Sequence, residues 1–530
     1  MACPASLEVT RIPFLSRLRQ TRPWPWWMAA GSALLFVLAL PPFRLWPLAF
    51  VAFGLLLWTI TRAERMTTAT LLGWLAGTLF YYGSSWWATH SLIVYGNIPT
   101  PVAHGLIIIA AGLVALPTAV FAWGVHLTTR HGTGLGWWCV PAWWCVSEWL
   151  RGELFAFGWN PLANAVATEP WLARTAMLGG HYLVGTLVAA FATGVIYALQ
   201  PRQPFRRAVG ALAVGMSAIL VPAVVALGFV SRPVETTRLT VIAVQPCAPL
   251  MATEAAAYRQ AERRQMQLAL EGLRQAPPEA PRLVVFPESQ IALEADRPGA
   301  DDQLRPLLEQ GAHVLTNATR RVRGGFANAA LLYAPDGRVV EYQKTHLMPF
   351  GEYIPFHRYV PVTLPTLAME AVPGTQVSAL PMTNDLRLGV SICFESTFPG
   401  LHRQLRQQGA TLLVNLANDG WFGDTPGSEQ HLRHLVYRAI ETGCPVVRVT
   451  NDGVSALLDS GGQVWDSMPH NQPDVRIWQV SPTLPSTPYV VIGDAVPFVC
   501  LAVAVAITLW TLWTRVRFYT EAITDLVAGE

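Results

Sequence analysis

The sequence carries little charge. Only 13% of its 530 residues are Asp, Glu, Lys or Arg, about half of the roughly 25% usual in a soluble protein. Hydrophobic residues make up 52% and mean hydropathy is +0.33. So apolar a chain is not one large soluble enzyme. Disorder is excluded by the same balance, because disordered chains are charged and poor in aromatics. A formal net charge of +3 argues against nucleic-acid binding, which needs many cations to neutralise phosphates. Cysteine is sparse as well. Cys3, Cys139, Cys145, Cys247, Cys393, Cys444 and Cys500 are odd in number and scattered. They form no Cys-x-x-Cys pair and no Cys/His ligand spacing, so neither a disulfide framework nor a metal site is expected. No glycine-rich phosphate loop occurs, and no nucleotide or other cofactor is expected. Lysine is almost missing: of 37 basic residues, 36 are Arg and one, Lys344, is Lys. Codon bias accounts for the arginine excess but not for the single lysine that remains.

Long apolar runs are what the chain has in quantity. A bilayer span needs roughly 20 apolar residues, and candidate runs lie at 25–42, 45–61, 68–91, 102–126, 134–150, 172–199, 207–230 and 487–514. The fifth, GWWCVPAWWCVSEWL, is short and contains Glu148; an ionisable residue inside a span is a candidate functional group. The first run lacks a small-residue cleavage site and is expected to be retained as a span, and Cys3 has no apolar run ahead of it. Arginine asymmetry sets the orientation. Arg11, Arg17, Arg19 and Arg22 precede the first run, Arg62 and Arg65 follow the second, and Arg130 follows the fourth. Arg202, Arg206 and Arg207 follow the sixth, Arg515 and Arg517 the eighth, while the opposite loops show only Arg44 and Arg151. Both termini are therefore expected in the cytoplasm. Three regions follow: 1–230 with seven transmembrane helices, 231–486 as a polar domain on the outer side, and 487–530 with the eighth span and a cytoplasmic tail.

Within the polar region, short β-rich runs end in polar clusters: LTVIAVQ (239–245), RLVVFPE (282–288), HVLTNAT (313–319), NAALLYA (328–334), LRLGVSICFE (386–395), TLLVNLAND (411–419) and PVVRVTND (445–452). Helical stretches at 253–275 and 428–443 separate some of them. Apolar strands alternating with helices predict a layered α/β domain, and about 245 residues are ample for one core.

Three residues at the ends of such runs suggest chemistry. Cys393, in GVSICFES, would be presented at a strand-to-helix turn, although a buried strand cysteine is more often a small hydrophobe. Glu288 ends LVVFPES, where a carboxylate held by Pro287 suits a general base. In isolation it reads more readily as a solvated loop residue. Lys344 lies in EYQKTHLMPFGEYIPF. Because Arg fills the other basic positions, it marks a place where a compact ammonium is needed. Together the three make a coherent set, with a base for the thiol proton, a thiolate for an acyl carbonyl and an ammonium for the oxyanion.

The order Glu, Lys, Cys, each after a strand, resembles the nitrilase superfamily, whose three signatures match PES, KTHLMPFGE and CFE. Over nearly its full length the chain resembles the bacterial apolipoprotein N-acyltransferases. PPFRLWPLAFVAF, FGWNPLANA, KTHLMPFGEYIPF, ICFES, NLANDGWFGD and RVTNDG carry that likeness. The resemblance implies a polytopic α-helical membrane domain joined to a nitrilase-like αββα sandwich on the periplasmic side of the bacterial inner membrane. It implies Glu288, Lys344 and Cys393 as catalytic residues, with Glu352 and Glu395 as supporting acids and Phe394 beside the nucleophile. The implied chemistry moves an sn-1 acyl chain from a phospholipid to the cysteine as a thioester. The chain then passes to the α-amine of a lipoprotein's diacylglyceryl-cysteine. Apolar loops near 346–372 could form a membrane-contacting lid or simply pack in the core. Two departures stand out: the family usually has Tyr where Phe394 stands, and VQPCAPLMATEAAAYRQ has Pro246 and Cys247 in place of a Gln-Gly-Asn segment and lacks a following tryptophan. A membrane-tethered amidase, a paralogue acylating another amine, and a catalytically inert binding domain remain as alternatives. Asp419, Trp421 and Asp424 of NDGWFGD read as turn-building before site-lining, His346 as structural, and Asp494 as solvated near the interface.

Overall fold

The computed structural model describes residues 23–528 except 131–133, 202, 230–237, 252–254, 290–292, 298, 355–370 and 483–485. Arg11, Arg17, Arg19, Arg22, Arg202 and Cys3 lie outside the described residues, as do positions 355–370 of the apolar 346–372 segment.

A helix overlaps each of the eight apolar runs: α1 (Trp24–Ala39), α2 (Leu48–Thr61), α3 (Met66–Ser85), α4 (Thr100–Val114) continued by α5 (Leu116–Arg130), α6 (Val140–Phe155), α7 (Ala176–Ala198), α8 (Phe205–Gly228) and, at the far end of the chain, a helix over Ala495–Ala528. By length and composition, Thr100–Arg130, Ala176–Ala198, Phe205–Gly228 and Ala495–Arg517 are each able to cross a membrane. The run at 68–91 is not one helix. After Ser85 the chain turns through Ala88–His90 and Ser91–Tyr95, and the Ser91 hydroxyl donates to the Trp421 carbonyl, the Tyr95 hydroxyl to that of Gly420. Helix α7 is broken at Gly179 and Gly180. Gly180 has φ +76°, and a Cβ there would lie 2.8 Å from the Tyr489 ring, so only glycine allows the break. The break frees the His181 N–H, which Glu441 accepts at 2.8 Å.

The rest of the chain folds as two facing sheets. The first comprises β1 (Leu239–Gln245), β2 (Arg282–Val285), β3 (Leu293–Glu294), β4 (His313–Val322), β5 (Gly325–Tyr333), β6 (Val339–Gln343) and β13 (Asp474–Val480), in the order β13-β1-β2-β4-β5-β6 with β3 beside β4. The second comprises β7 (Leu380–Pro381), β8 (Arg387–Ile392), β9 (Leu412–Ala417), β10 (Val446–Thr450), β11 (Ala456–Leu458) and β12 (Val464–Ser467), in reverse chain order across the sheet. The central strands β1, β2 and β4, and likewise β8, β9 and β10, run parallel. Both faces of these strands are covered, which is why their sequences are apolar throughout. In β1, Val241 and Ala243 point between the sheets, whereas Ile242 and Val244 meet Ala269 and Leu273 of α9 (Ala255–Gln275). On the second sheet, α10 (Pro399–Gln407) and α11 (Gly427–Thr442) form the opposite layer. The helix over Ala495–Ala528 completes the set as α12. The result is an αββα sandwich.

Helix α11 is the seam between the sandwich and the apolar helices, and every residue in it except Glu429 is buried. Its apolar side packs on the sheet, and its polar side is satisfied by the helical region. The Gln430 side-chain oxygen accepts from Trp87 Nε1, Trp159 Nε1 and Asn160 Nδ2, each at 3.0 Å. Arg433 donates to the Asn164 carbonyl at 3.0 Å, and Glu441 pairs with His181 and Arg438.

Candidate active site

Glu288, Lys344 and Cys393, 105 positions apart at the extremes in sequence, meet at one edge of the sandwich. Glu288 leaves the end of β2, Lys344 the end of β6 and Cys393 the end of β8. Lys344 Nζ lies 2.9 Å from Glu352 Oε1 and 3.5 Å from Glu288 Oε1, and Lys344 is only 2% exposed. The Cys393 thiol lies within electrostatic reach of both Glu288 and Lys344.

Cys393 adopts φ +51°, a left-handed conformation that costs a non-glycine residue on the order of 1–2 kcal/mol. The turn is held from below. His431 Nε2 donates to the Cys393 carbonyl at 3.0 Å and Asn415 Nδ2 reaches it at 3.4 Å. His431 and Asn415 are in turn fixed by a buried Asp419–Arg448 pair with separations of 2.7 and 2.8 Å, and Arg448 also donates to Asn415 Oδ1 at 3.0 Å. Asp419 is thus a structural anchor beneath the nucleophile turn. Burial works to raise its carboxyl, but Arg448 and His431 hold it well below the usual range.

Burial pushes the Cys393 thiol up, as does the neighbouring Glu288 carboxylate, against the pull of Lys344 and the Asn418 backbone N–H. Burial also raises the Glu288 carboxyl, Lys344 opposing and Glu352 reinforcing. Lys344 responds the other way: desolvation disfavours its charge, but Glu288 and Glu352 outweigh that and hold the ammonium protonated. One cation thus lies between two carboxylates, with a thiol held in its protonated form that can pass its proton to Glu288 without changing the net charge of the cluster.

Sequence reasoning did not find Asn328. Its amide donates to Glu288 Oε1 at 2.7 Å and Glu352 Oε1 at 3.1 Å, while Asn317 donates to Asn328 Oδ1 at 2.7 Å. Glu352 is completed by the Met348 N–H at 2.8 Å on Oε2. Glu395 touches neither the thiol nor the ammonium. Its Oε1 accepts from Tyr342 Oη, Thr345 N, Thr345 Oγ1 and His346 N between 2.7 and 3.0 Å, and its Oε2 from Ile392 N at 2.8 Å. Burial works to raise this carboxyl, and the hydrogen bonds from His346, Ile392 and Tyr342 outweigh it and lower it. Glu395 therefore ties the segment after Lys344 to the strand before Cys393 as a positioning residue. Glu395→Gln, which turns one of the two acceptor oxygens into a donor among five donors, is expected to destabilise the fold by about 3 kcal/mol. The midpoint of thermal unfolding in detergent reads this, and an unchanged midpoint contradicts the role.

Phe394 is 3% exposed in an aromatic cluster with Trp87, Trp159 and Phe422, at the seam with the helical region. His346 stacks on Phe398 with ring centroids 4.2 Å apart. Trp421 packs against Tyr95, and Asp424 is exposed beside His470 at 3.7 Å. Glu148 is buried in α6, where Oε1 accepts the Leu162 N–H at 2.6 Å, and it does not join the cluster. Asp494 accepts from the Tyr489 hydroxyl at 3.1 Å. In the altered segment, the Cys247 N–H donates to the Asn451 carbonyl at 2.9 Å, and burial pushes its thiol up to about 12.

Residues 32–194 match the apolipoprotein N-acyltransferase N-terminal domain, and residues 243–489 match the carbon-nitrogen hydrolase domain. A Brucella melitensis apolipoprotein N-acyltransferase is 30% identical over 481 residues, 83% of this chain and 88% of its own length. The chain belongs to the apolipoprotein N-acyltransferase family. Two further family members are similar: one from Rhizobium meliloti, 29% identical over 475 residues (81% of this chain, 85% of its own), and one from Geobacter metallireducens, 28% identical over 506 residues (91% and 94%). Membership makes the chain an acyltransferase of the carbon-nitrogen hydrolase superfamily, and both the superfamily expected from the PES, KTHLMPFGE and CFE segments and the family expected from the full-length likeness are borne out.

Proposed function

We propose that the chain is a membrane enzyme that transfers an acyl chain from a phospholipid, through a thioester on Cys393, to the α-amine of a diacylglyceryl-modified lipoprotein N-terminus. The observation that carries this reading is the Glu288–Lys344–Cys393 cluster around the buried lysine, with Glu352 beside it.

Glu288 takes the thiol proton as the sulfur attacks the ester carbonyl carbon, and the oxyanion forms against Lys344 Nζ. The carbonyl–oxygen bond to glycerol breaks, Glu288 returns the proton to the leaving alkoxide, and the lysophospholipid departs. The acceptor amine then attacks the thioester, Glu288 receives the amine proton, the carbon–sulfur bond breaks and Glu288 reprotonates the thiolate. A thioester keeps the acyl group activated between the two substrates, so water must be excluded in that interval. The apolar surroundings of Phe394, Trp87 and Trp159 support this requirement. Both substrates are lipids, which fits a site beside the bilayer surface. The arginine distribution favours both termini in the cytoplasm and the sandwich on the periplasmic side of the inner membrane.

The competing reading is a membrane-tethered hydrolase of the same superfamily. Purified full-length protein in detergent, given a phospholipid with a labelled acyl chain, separates the two. We expect label on the α-amine of a diacylated lipopeptide and little free fatty acid without it. Release of labelled fatty acid at the same rate with and without lipopeptide would establish the hydrolase instead.

A further inference from the structure

A cavity of about 380 Å³ lies where the apolar helices meet the sandwich, at the opposite end of α11 from the cysteine. His431 of α11 contacts Cys393, whereas Ile440 and Gly443, at the other end of that helix, line the cavity. The separation along the helix is roughly 15 Å. The cavity is also at the N-terminal ends of the parallel strands, bounded by Pro445 before β10 and by Val480 at the end of β13, while the cluster described above sits at their C-terminal ends. It is therefore a separate place in the molecule.

Two features define its chemistry. One wall is apolar and comes from the ends of two helices, Met177 of α7 and Ala226 of α8 with Phe229 just beyond. The other carries Arg174 and Ser460. The Arg174 side chain makes no hydrogen bond or ion pair among the described residues, and its guanidinium lies over the Gly461 backbone, 3.1 Å from where a Cβ would be. The nearest acid, Asp459, is already occupied by the N–H groups of Gly461 and Gln463 and by Trp465 Nε1. The cavity thus offers a guanidinium that pairs directly with no carboxylate, although Asp459 shares the lining, beside an apolar wall. That wall is continuous with the exposed side chains of Val221, Val224 and Val225 on α8. Phe229 is 49% exposed and Trp465 is 69% exposed at the rim, the placement of aromatic side chains at a bilayer interface.

We infer that this cavity is a phospholipid site distinct from the acyl-transfer centre, with the phosphodiester on Arg174 and Ser460 and acyl chains descending past Met177 and Phe229 along α8. A guanidinium binds phosphate through a planar fork of donors, and the apolar wall selects a lipid over a free phosphate.

The test uses the full-length Cys393→Ala chain in detergent, so that the lipid is not consumed, with a phospholipid carrying a photoreactive group in one acyl chain. Peptides containing Met177 and Phe229 are expected to be labelled. Arg174→Gln should cut that labelling at least tenfold, Arg174→Lys should retain most of it, and labelling of peptides around residue 393 should be unchanged in both. Millimolar inorganic phosphate should not compete. Labelling that persists in Arg174→Gln, or that falls equally at residue 393, overturns the inference. Competition by inorganic phosphate alone overturns it as well, by making the cavity a simple anion site.

Discussion

Lys344→Arg is expected to abolish acyl transfer although it keeps the positive charge. The ammonium is 2% exposed and fits between Glu352 at 2.9 Å and Glu288 at 3.5 Å. A guanidinium is larger and planar, and it engages a carboxylate through two parallel donors. It would pair with Glu352 or Glu288 and withdraw from the position where the oxyanion forms. Loss of one oxyanion donor costs about 10²–10³ in rate, and displacement of the base adds to it, so a fall of at least roughly a thousandfold is expected in initial rates with phospholipid and lipopeptide. Activity within about tenfold of wild type contradicts the role. Lys344→Met is a poorer probe, because it leaves two partly buried carboxylates without their cation and endangers the fold.

Glu288→Gln is expected to lower the rate by about 10³–10⁴ while the protein still folds, because the amide oxygen can still accept from Asn328. Burial raises the Cys393 thiol, so a protein without the base at this position holds a neutral, weak nucleophile. The same geometry fixes the sign of the pH dependence. Glu288 must be ionised to act, and its carboxyl is held above the ordinary 4.5 chiefly by burial. Turnover by the wild-type protein should therefore fall as pH drops through that raised value, and the acid limb should lie above that of an ordinary glutamate. A pH–rate profile flat down to pH 4.5, or a Glu288→Gln rate within tenfold of wild type, removes Glu288 from the proton path.

Much of this was legible in the amino-acid sequence because burial leaves periodic marks. The central strands have both faces covered, so LTVIAVQ and TLLVNLA appear as unbroken apolar runs, and the polar residues after them fall at the strand ends. Lys344 stood out through the near absence of its own kind. Other parts of the site left weaker marks. Asn328 begins an apolar run and looks like any strand-edge amide, yet it joins Glu288 to Glu352. Arg448 offered a signal that could have been used: a charge inside PVVRVT, an otherwise apolar strand, must be paired when buried, and its partner is Asp419. The seam was hidden for a different reason. Helix α11 has polar residues on one side, which predicts a solvated face, but that side is covered by Trp87, Trp159 and Asn160 gathered around Gln430. Only the fold brings those residues, some 270 to 343 positions away, onto the helix. The run at 68–91 misled in the same way, because its last part leaves the helix to bind the turn at Gly420 and Trp421.

The central claim is that Cys393 carries the acyl group between donor and acceptor. Intact-mass measurement of the full-length protein, after incubation with a phospholipid of one defined acyl chain, tests it most directly. The account predicts an added mass of one acyl group that maps to Cys393, is absent in Cys393→Ala, and disappears with acylation of a diacylated lipopeptide when that acceptor is added. An unmodified mass in the presence of donor, together with undiminished lipopeptide acylation by Cys393→Ala, would contradict it.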